Sequence, residues 1–150
     1  FDQASPSKIY QIIKFLFLLF LGGLIVLISF LFGWYFGLTS LTGWWLADSL
    51  HFIGGIYTFF FIRFIFNSTH KYHKTETVFL MKIIIFAGGA LILGVFWEWY
   101  EFIFIYQYGV FGLSPKGITV YSDTITDLAF DLLGALSAGI YLIVKNGKNK

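Results

Sequence analysis

The sequence predicts an all-α membrane protein, a bundle of four transmembrane helices with both termini in the cytoplasm. Its 150 residues are 58% hydrophobic and only 12% charged, and their mean hydropathy is +0.80. Soluble domains are about half apolar and about a quarter charged, so this composition is typical of an integral membrane protein. Four apolar segments each reach the roughly 20 residues that a helix needs to cross the hydrocarbon core.

The four segments form a single predicted integral membrane domain over 1–150, without linkers or low-complexity tracts. The connections between them, such as GLTSLTG, are rich in residues that favour turns. The first segment follows two lysines, as a signal peptide would, but it is longer and no small-residue cleavage site follows it, so we expect a membrane helix. The predicted helices span about 15–36, 44–66, 78–106 and 121–144.

The orientation follows from the basic residues, which concentrate on the cytoplasmic side of membrane proteins. Of the ten basic residues, only Lys116 falls on the side of the first and third connections. The other nine flank the termini or the second connection: Lys8, Lys14, Arg63, Lys71, Lys74, Lys82, Lys145, Lys148 and Lys150. Both termini are therefore predicted to be cytoplasmic.

Composition also narrows the functional classes. The chain has no cysteine, which excludes disulfides and thiolate chemistry. A net charge of +2 is too small to indicate nucleic acid as a partner, and membrane lipids are the expected surroundings. Small residues recur in every predicted helix, for example AGGA at 87–90, and such residues let membrane helices pack closely. A homo-oligomer is an open possibility.

Ionisable residues recur in the outer halves of three predicted helices. Within each helix they are spaced three or four residues apart, so each set lies on one helix face. The sets are Asp48 with His51, Glu98 with Glu101, and Asp123 with Asp127 and Asp131. In a bundle, all three polar faces can turn inward and meet at the same level.

Six carboxylates at this depth require neutralisation. A charged side chain near the centre of a membrane helix costs about 2.5 to 3.5 kcal/mol, so six could cost roughly 15 kcal/mol. His51 is the only potentially cationic side chain at this level, since Arg63 lies twelve residues further along the helix, roughly 18 Å away. Protons or a bound divalent cation must therefore compensate. Carboxylates favour Mg²⁺, Mn²⁺ or Ca²⁺, and an imidazole also admits Zn²⁺.

The expected metal ligands are the acidic and imidazole side chains of the second, third and fourth helices, namely Glu98, Asp127 and Asp131, with Asp48, His51 and Asp123 as further candidates. Catalytic roles are expected for Glu101 as a general base and for Asp48 and His51 as an acid/base pair. Structural alternatives stand beside these roles. Asp123 and Asp48 could each serve a helix N-terminus, and the deeper acids could form a polar network that only stabilises packing.

The same residues resemble two groups of small polytopic membrane proteins, the VanZ-like and YjdF-like proteins. VanZ-like proteins pair an early Asp and His with a later acidic helix and a final D-x-x-x-N-x-x-G stretch. Asp48 and His51 resemble the first element and Glu98 the second, while Asp131 stands in place of the Asn of the third. The Arg that precedes the last helix in VanZ-like proteins has no counterpart. WEWYEF and the repeated aspartates are closer to the YjdF-like pattern.

The resemblance implies a cell-envelope role in the plasma membrane of a prokaryote. Combined with the acidic cluster, it favours a site that faces the extracytoplasmic side and binds a divalent cation. Such a site would suit hydrolysis or transfer at the head group of a lipid or lipid-linked envelope precursor. Two alternatives come from other classes: a proton- or cation-conducting transporter, and an accessory subunit of a membrane complex.

Overall fold

Four long helices make up the computed structural model, which describes residues 8–36, 41–69, 79–103 and 120–147, with side chains described over 8–31, 45–68, 79–103 and 121–145. The helices are α1 (Lys8–Phe36), α2 (Leu41–Thr69), α3 (Phe79–Tyr100) and α4 (Val120–Gly147). Each is long and apolar enough to cross a membrane, with candidate spans of 24 or 25 residues. The all-α prediction and its four spans are confirmed.

Helix α2 is three residues longer than predicted at each end, and α4 ends three residues later than predicted. Two larger differences concern α1 and α3. Helix α1 begins at Lys8, several residues before the predicted start at 15, because nothing between Lys8 and Lys14 breaks a helix and long lysine side chains can extend from the membrane edge. The α-helical part of α3 ends at Tyr100 and a π-helical turn follows over 101–103. The rest of the predicted third helix, 104–106, lies outside the described residues.

Helices α2, α3 and α4 pack mutually and form the core of the molecule. Helix α2 contacts each of the other three helices, and its most extensive interface is with α4. Helix α1 packs mainly on α2. No residue in the apolar stretch of α1 is fully buried, whereas 39% of the residues in that of α4 are. The predicted four-helix bundle is confirmed, with α2, α3 and α4 forming its core and α1 at its periphery.

The backbones of α2 and α4 touch at two glycines. A Cβ atom at Gly134 would collide with the backbone carbonyl oxygen of Phe52, and one at Gly55 would collide with the backbone carbonyl oxygen of Asp131. Each helix thus offers a glycine to the backbone of the other. Because lipid leaves no hydrophobic drive between membrane helices, such close approach is what lets them gain packing contacts.

An apolar core lies between α2, α3 and α4, on the C-terminal side of Gly55 in α2 and of Gly134 in α4. Phe59 is fully buried, and its ring meets that of Phe86 edge to face at a centroid distance of 5.4 Å. Small side chains from α3 and α4 complete this layer and let the aromatic rings fit between the helices. The remaining buried members of the core are Ile83, Ala87, Ala90, Ala135, Ala138 and Leu142.

Helix α1 is attached to α2 through a tyrosine that fits over a glycine. The Tyr57 hydroxyl donates a hydrogen bond to the backbone carbonyl of Leu18 at 2.7 Å. A Cβ atom at Gly22 would lie 2.5 Å from that hydroxyl oxygen, whereas one at Gly23 would meet nothing within 4 Å. Of the two adjacent glycines in α1, Gly22 therefore packs against Tyr57 of α2, and Gly23 faces away from the protein.

Replacing Gly134 by alanine tests the contact between α2 and α4. We expect Gly134→Ala to lower the thermal stability of the purified protein, because the added methyl group must push the two backbones apart, at a cost of roughly 1–3 kcal/mol for overpacking. Gly88→Ala is the matched control, since a Cβ atom there meets nothing within 4 Å. The control should be neutral or slightly stabilising, because alanine favours a helix by about 0.5–1 kcal/mol over glycine. Equal melting temperatures for the two variants would contradict this packing.

Candidate functional site

His51 of α2 lies between two aspartates of α4. Its Nε2 atom is 3.6 Å from Oδ2 of Asp127, and its Nδ1 atom is 3.4 Å from Oδ2 of Asp131. The imidazole can reach both because the aspartates are one turn apart on the same face and Gly55, one turn further along α2, keeps the two helices close. The predicted convergence of α2 and α4 is thus confirmed.

Helix α3 adds two carboxylates to the same place. His51, Glu98, Glu101 and Asp127 each offer a ligand atom, and these four atoms all lie within 4.8 Å of one another. We refer to these residues as the four-donor group. The ligand atoms of a tetrahedral metal ion are about 3.4 Å apart when each bond is about 2.1 Å. The four donors therefore need only a small inward movement to coordinate one ion.

Three carboxylate oxygens at this end of the core are buried without a hydrogen-bond partner among the described residues. They are Oδ1 of Asp48, Oε1 of Glu98 and Oδ1 of Asp127. Leaving a buried acceptor without a partner costs about 1–3 kcal/mol, and more when the group is charged. Two of the three oxygens, those of Glu98 and Asp127, belong to the four-donor group. Each of them can accept a proton or bind a cation.

Neighbouring side chains orient the α3 carboxylates. The Trp97 indole donates a hydrogen bond from Nε1 to Oε1 of Glu101 at 2.9 Å, and the Thr124 hydroxyl hydrogen-bonds the Glu98 carboxylate. Glu101 also opens the π-helical turn over 101–103, a distortion that is frequent at functional sites.

Both donors were missed by the sequence analysis. Trp97 reads as an ordinary interfacial aromatic residue, and Thr124 as one polar residue among several at the start of the last helix. The available signal for Trp97 was its spacing of four residues from Glu101, which puts the indole and the carboxylate on one face of α3.

All seven residues predicted for the site lie at the same end of the core, which we call the acidic end. Asp48 is buried one turn outward from His51, and Asp123 is half-buried in the first turn of α4. Asp123 acts electrostatically on Asp48 and on Glu98. Its place in the first turn also lets it interact favourably with the helix dipole, so the structural alternative for Asp123 applies beside the ligand role.

The described basic side chains other than His51 lie at the opposite end of their helices, toward the start of α1 and α3 and the end of α2 and α4. They are Lys8, Lys14, Arg63, Lys82 and Lys145. Arg63 follows His51 by twelve residues, roughly 18 Å along α2. Within the described residues, His51 is thus the one side chain at the acidic end that can carry a positive charge. The placement of the termini in the cytoplasm stays a prediction.

The fold and the site define a polytopic α-helical membrane protein with a histidine/carboxylate cluster buried at one end of its core. The chain belongs to the family described as "Predicted membrane protein (DUF2238)", whose profile matches residues 4–148. This match covers nearly the whole chain and agrees with the four candidate spans, while the likeness to VanZ-like and YjdF-like proteins stays a prediction. No curated protein and no solved structure matches the chain.

Removing one negative charge should stabilise the metal-free protein. In the presence of a chelator we expect Glu98→Gln to raise the melting temperature in detergent, because two carboxylates about 5 Å apart repel by on the order of 1 kcal/mol or more at the effective dielectric of a protein. Ser49→Ala is the control, since the Ser49 hydroxyl is exposed and bonds the backbone carbonyl of Trp45 in its own helix. A lower melting temperature for Glu98→Gln would show that the acids are already compensated.

Proposed function

We propose that the four-donor group binds one divalent metal ion and that the protein uses this ion to hydrolyse or transfer the head group of a membrane lipid or lipid-linked precursor. The observation that carries the proposal is the convergence of four donors from three helices within 4.8 Å. The buried oxygens of Glu98 and Asp127 that lack partners add to it, because a cation would give both of them a ligand bond.

The donor set favours a metal that accepts both oxygen and nitrogen. Three carboxylates and one imidazole suit Zn²⁺ or Mn²⁺, whereas Mg²⁺ and Ca²⁺ prefer oxygen alone. A divalent ion would offset two of the three negative charges in the group. With His51, Glu98 and Asp127 as its direct ligands, the ion would keep a fourth position, beside Glu101, for water or a substrate oxygen, as a catalytic site requires.

The depth of the site suits chemistry at a lipid head group. His51 follows the first residue of its candidate span, Trp45, by six residues, or about 9 Å along the helix. This distance places His51 inside the hydrocarbon layer but in the half next to one membrane face, the side from which a lipid head group would approach. A metal there would polarise the bond to be broken and activate a bound water.

Two carboxylates next to the metal could move protons during such a reaction. Glu101, held by the Trp97 indole at one oxygen, has its second oxygen available to accept the proton of the attacking water. Asp48 lies one turn nearer the surface than His51 and could return a proton to the leaving alcohol. Both roles keep the assignments expected from the sequence.

A transport pathway is disfavoured by the apolar core. On the side of the site away from the acidic end, the described part of the three-helix core is filled by Phe59, Phe86 and the alanines packed around them. Phe59 and Ala90 are 0% and 1% exposed, which leaves no room for a chain of waters between these side chains. A site closed on that side could be reached only from the acidic end, as an enzyme acting at one membrane face requires.

Metal binding is tested by titrating the chelator-treated full-length protein with Zn²⁺ and with Mn²⁺. We expect one ion per chain and a rise in thermal stability, which reaches about 2.7 kcal/mol when the free metal is a hundredfold above its dissociation constant. Glu98→Gln and Asp127→Asn should each weaken binding by about a hundredfold or more, because each removes a charged ligand. Ser49→Ala should bind like the wild type. A wild-type protein whose stability and metal content do not respond to either ion would overturn the proposal.

The reaction is tested with phospholipid vesicles that contain the metal-loaded protein. We expect release of water-soluble head-group products, and we expect Glu98→Gln to abolish it while Ser49→Ala keeps it. Glu101→Gln should bind metal and yet lower the rate, on the order of a hundredfold, if its free oxygen acts as the base. Cation or proton flux through vesicles that contain the wild type, without head-group release, would instead support the transporter alternative.

A further inference from the structure

We propose that Asp131 is a positioning residue that orients His51 and is not itself a metal ligand. This inference rests on the proposed metal site and assigns a different role to a residue that the sequence pattern placed among the ligands. In this arrangement the Asp131 carboxylate accepts a hydrogen bond from Nδ1 of His51, and the ring thereby presents Nε2 to the four-donor group.

The two contacts of the imidazole differ in kind. Nδ1 of His51 lies 3.4 Å from Oδ2 of Asp131, a hydrogen bond longer than the usual range of about 2.7–3.2 Å, while Nε2 lies 3.6 Å from Oδ2 of Asp127 and makes no hydrogen bond to it. A carboxylate can only accept, so the bond to Asp131 places the hydrogen on Nδ1. Nε2 then keeps its lone pair and faces Asp127, which belongs to the four-donor group. Metal-bound histidines commonly donate their other N–H to a carboxylate in this way.

The Asp131 carboxylate is confined by two glycines from the neighbouring helices. A Cβ atom at Gly94 of α3 would lie 2.5 Å from Oδ2, and one at Gly54 of α2 would lie 3.6 Å from Oδ1. The backbone of Asp131 is also fixed, because its carbonyl touches Gly55. The backbones of both neighbouring helices therefore approach the carboxylate closely at these glycines, which limits its movement away from the imidazole.

Depth separates Asp131 from the metal ligands. Asp131 follows the first residue of its candidate span, Tyr121, by ten residues, or about 15 Å, which is the middle of the membrane. Asp127 lies one turn nearer the acidic end and is a member of the four-donor group, which among the described residues does not include Asp131. The histidine therefore stands between a metal ligand on one side and an orienting carboxylate on the other.

The inference is tested with Zn²⁺ on full-length protein in which His70→Gln and His73→Gln leave His51 as the single histidine. Asp131→Asn keeps an oxygen acceptor for Nδ1, and we expect it to bind Zn²⁺ less than about tenfold more weakly. Asp131→Ala removes the acceptor and should weaken binding by about 10- to 100-fold, the usual range for a residue that orients a ligand. Gly94→Ala should mimic part of this loss by displacing the carboxylate, and Gly88→Ala is its control.

Two spectroscopic measurements separate positioning from ligation. X-ray absorption at the zinc edge should show the same number of ligands, with one imidazole, in the wild type and in Asp131→Asn. Nitrogen-15 NMR of labelled His51 should show the hydrogen on Nδ1 in the wild type and in Asp131→Asn, with a mixture of tautomers in Asp131→Ala. These outcomes would support the assignment.

Other outcomes overturn it. Loss of one zinc ligand in Asp131→Asn, with binding as weak as in Asp127→Asn, would make Asp131 a ligand and leave the metal site standing. A wild type that binds no Zn²⁺ would end the proposed function. In that case NMR of the metal-free protein, recorded at a pH where the imidazole is neutral, still decides whether Asp131 orients it, since a hydrogen on Nε2 of the neutral ring would overturn the inference directly.

Discussion

The contact between the backbones of α2 and α4 is the constraint on which the rest of the molecule depends. Gly55 meets the carbonyl of Asp131 and Gly134 meets the carbonyl of Phe52, so the two helices approach as closely as their backbones permit. His51 stands one turn from Gly55. Because the separation of the helices is this small, a side chain as short as an imidazole spans it and reaches two aspartates at once.

This contact also divides the core into two layers with different chemistry. Toward the acidic end, the three core helices direct ionisable side chains inward, and toward the other end they direct phenylalanine and alanine inward. Lipid competes for apolar side chains but not for carboxylates, so turning the acids inward avoids their exposure to hydrocarbon. Inside the core, however, the acids meet one another, and a cation bound as proposed would remove that remaining repulsion. The same placement that makes membrane insertion tolerable thus brings the donors of the proposed site together.

Much of this arrangement could be predicted from the sequence, because helix periodicity and membrane thickness leave few alternatives. The spacing of Asp127 and Asp131 places them on one face, and four alternating crossings place that face at the level of His51 and Glu98. The peripheral position of α1 could not be predicted, since α1 is apolar on all sides and its sequence marks no face for contact. Nor does sequence distinguish Gly22, which packs under a tyrosine, from Gly23 beside it, which packs against nothing.

The order of the carboxylates around His51 was equally beyond the sequence. Asp127 and Asp131 are equivalent by residue type and by periodicity, and both were natural candidates for ligands. Only the three-dimensional structure shows that the glycines facing Asp131 confine its carboxylate, while an oxygen of Asp127 is left without a partner. The distinction depends on glycines in the neighbouring helices. A missing side chain on another helix leaves no pattern in the sequence around Asp131.

Helix α1 is peripheral to the core and yet touches the residues that hold the site. The ring of Phe30 packs against Trp97 and Tyr100 of α3, with centroid distances of 6.2 and 6.4 Å. Trp97 is the residue whose indole bonds Glu101, so the position of α1 bears on the orientation of a carboxylate in the four-donor group. The opposite part of α1 is fastened through the hydrogen bond from Tyr57 to the carbonyl of Leu18. Because α1 is attached at both places, a helix that contributes nothing to the four-donor group still limits the positions that Glu101 can take.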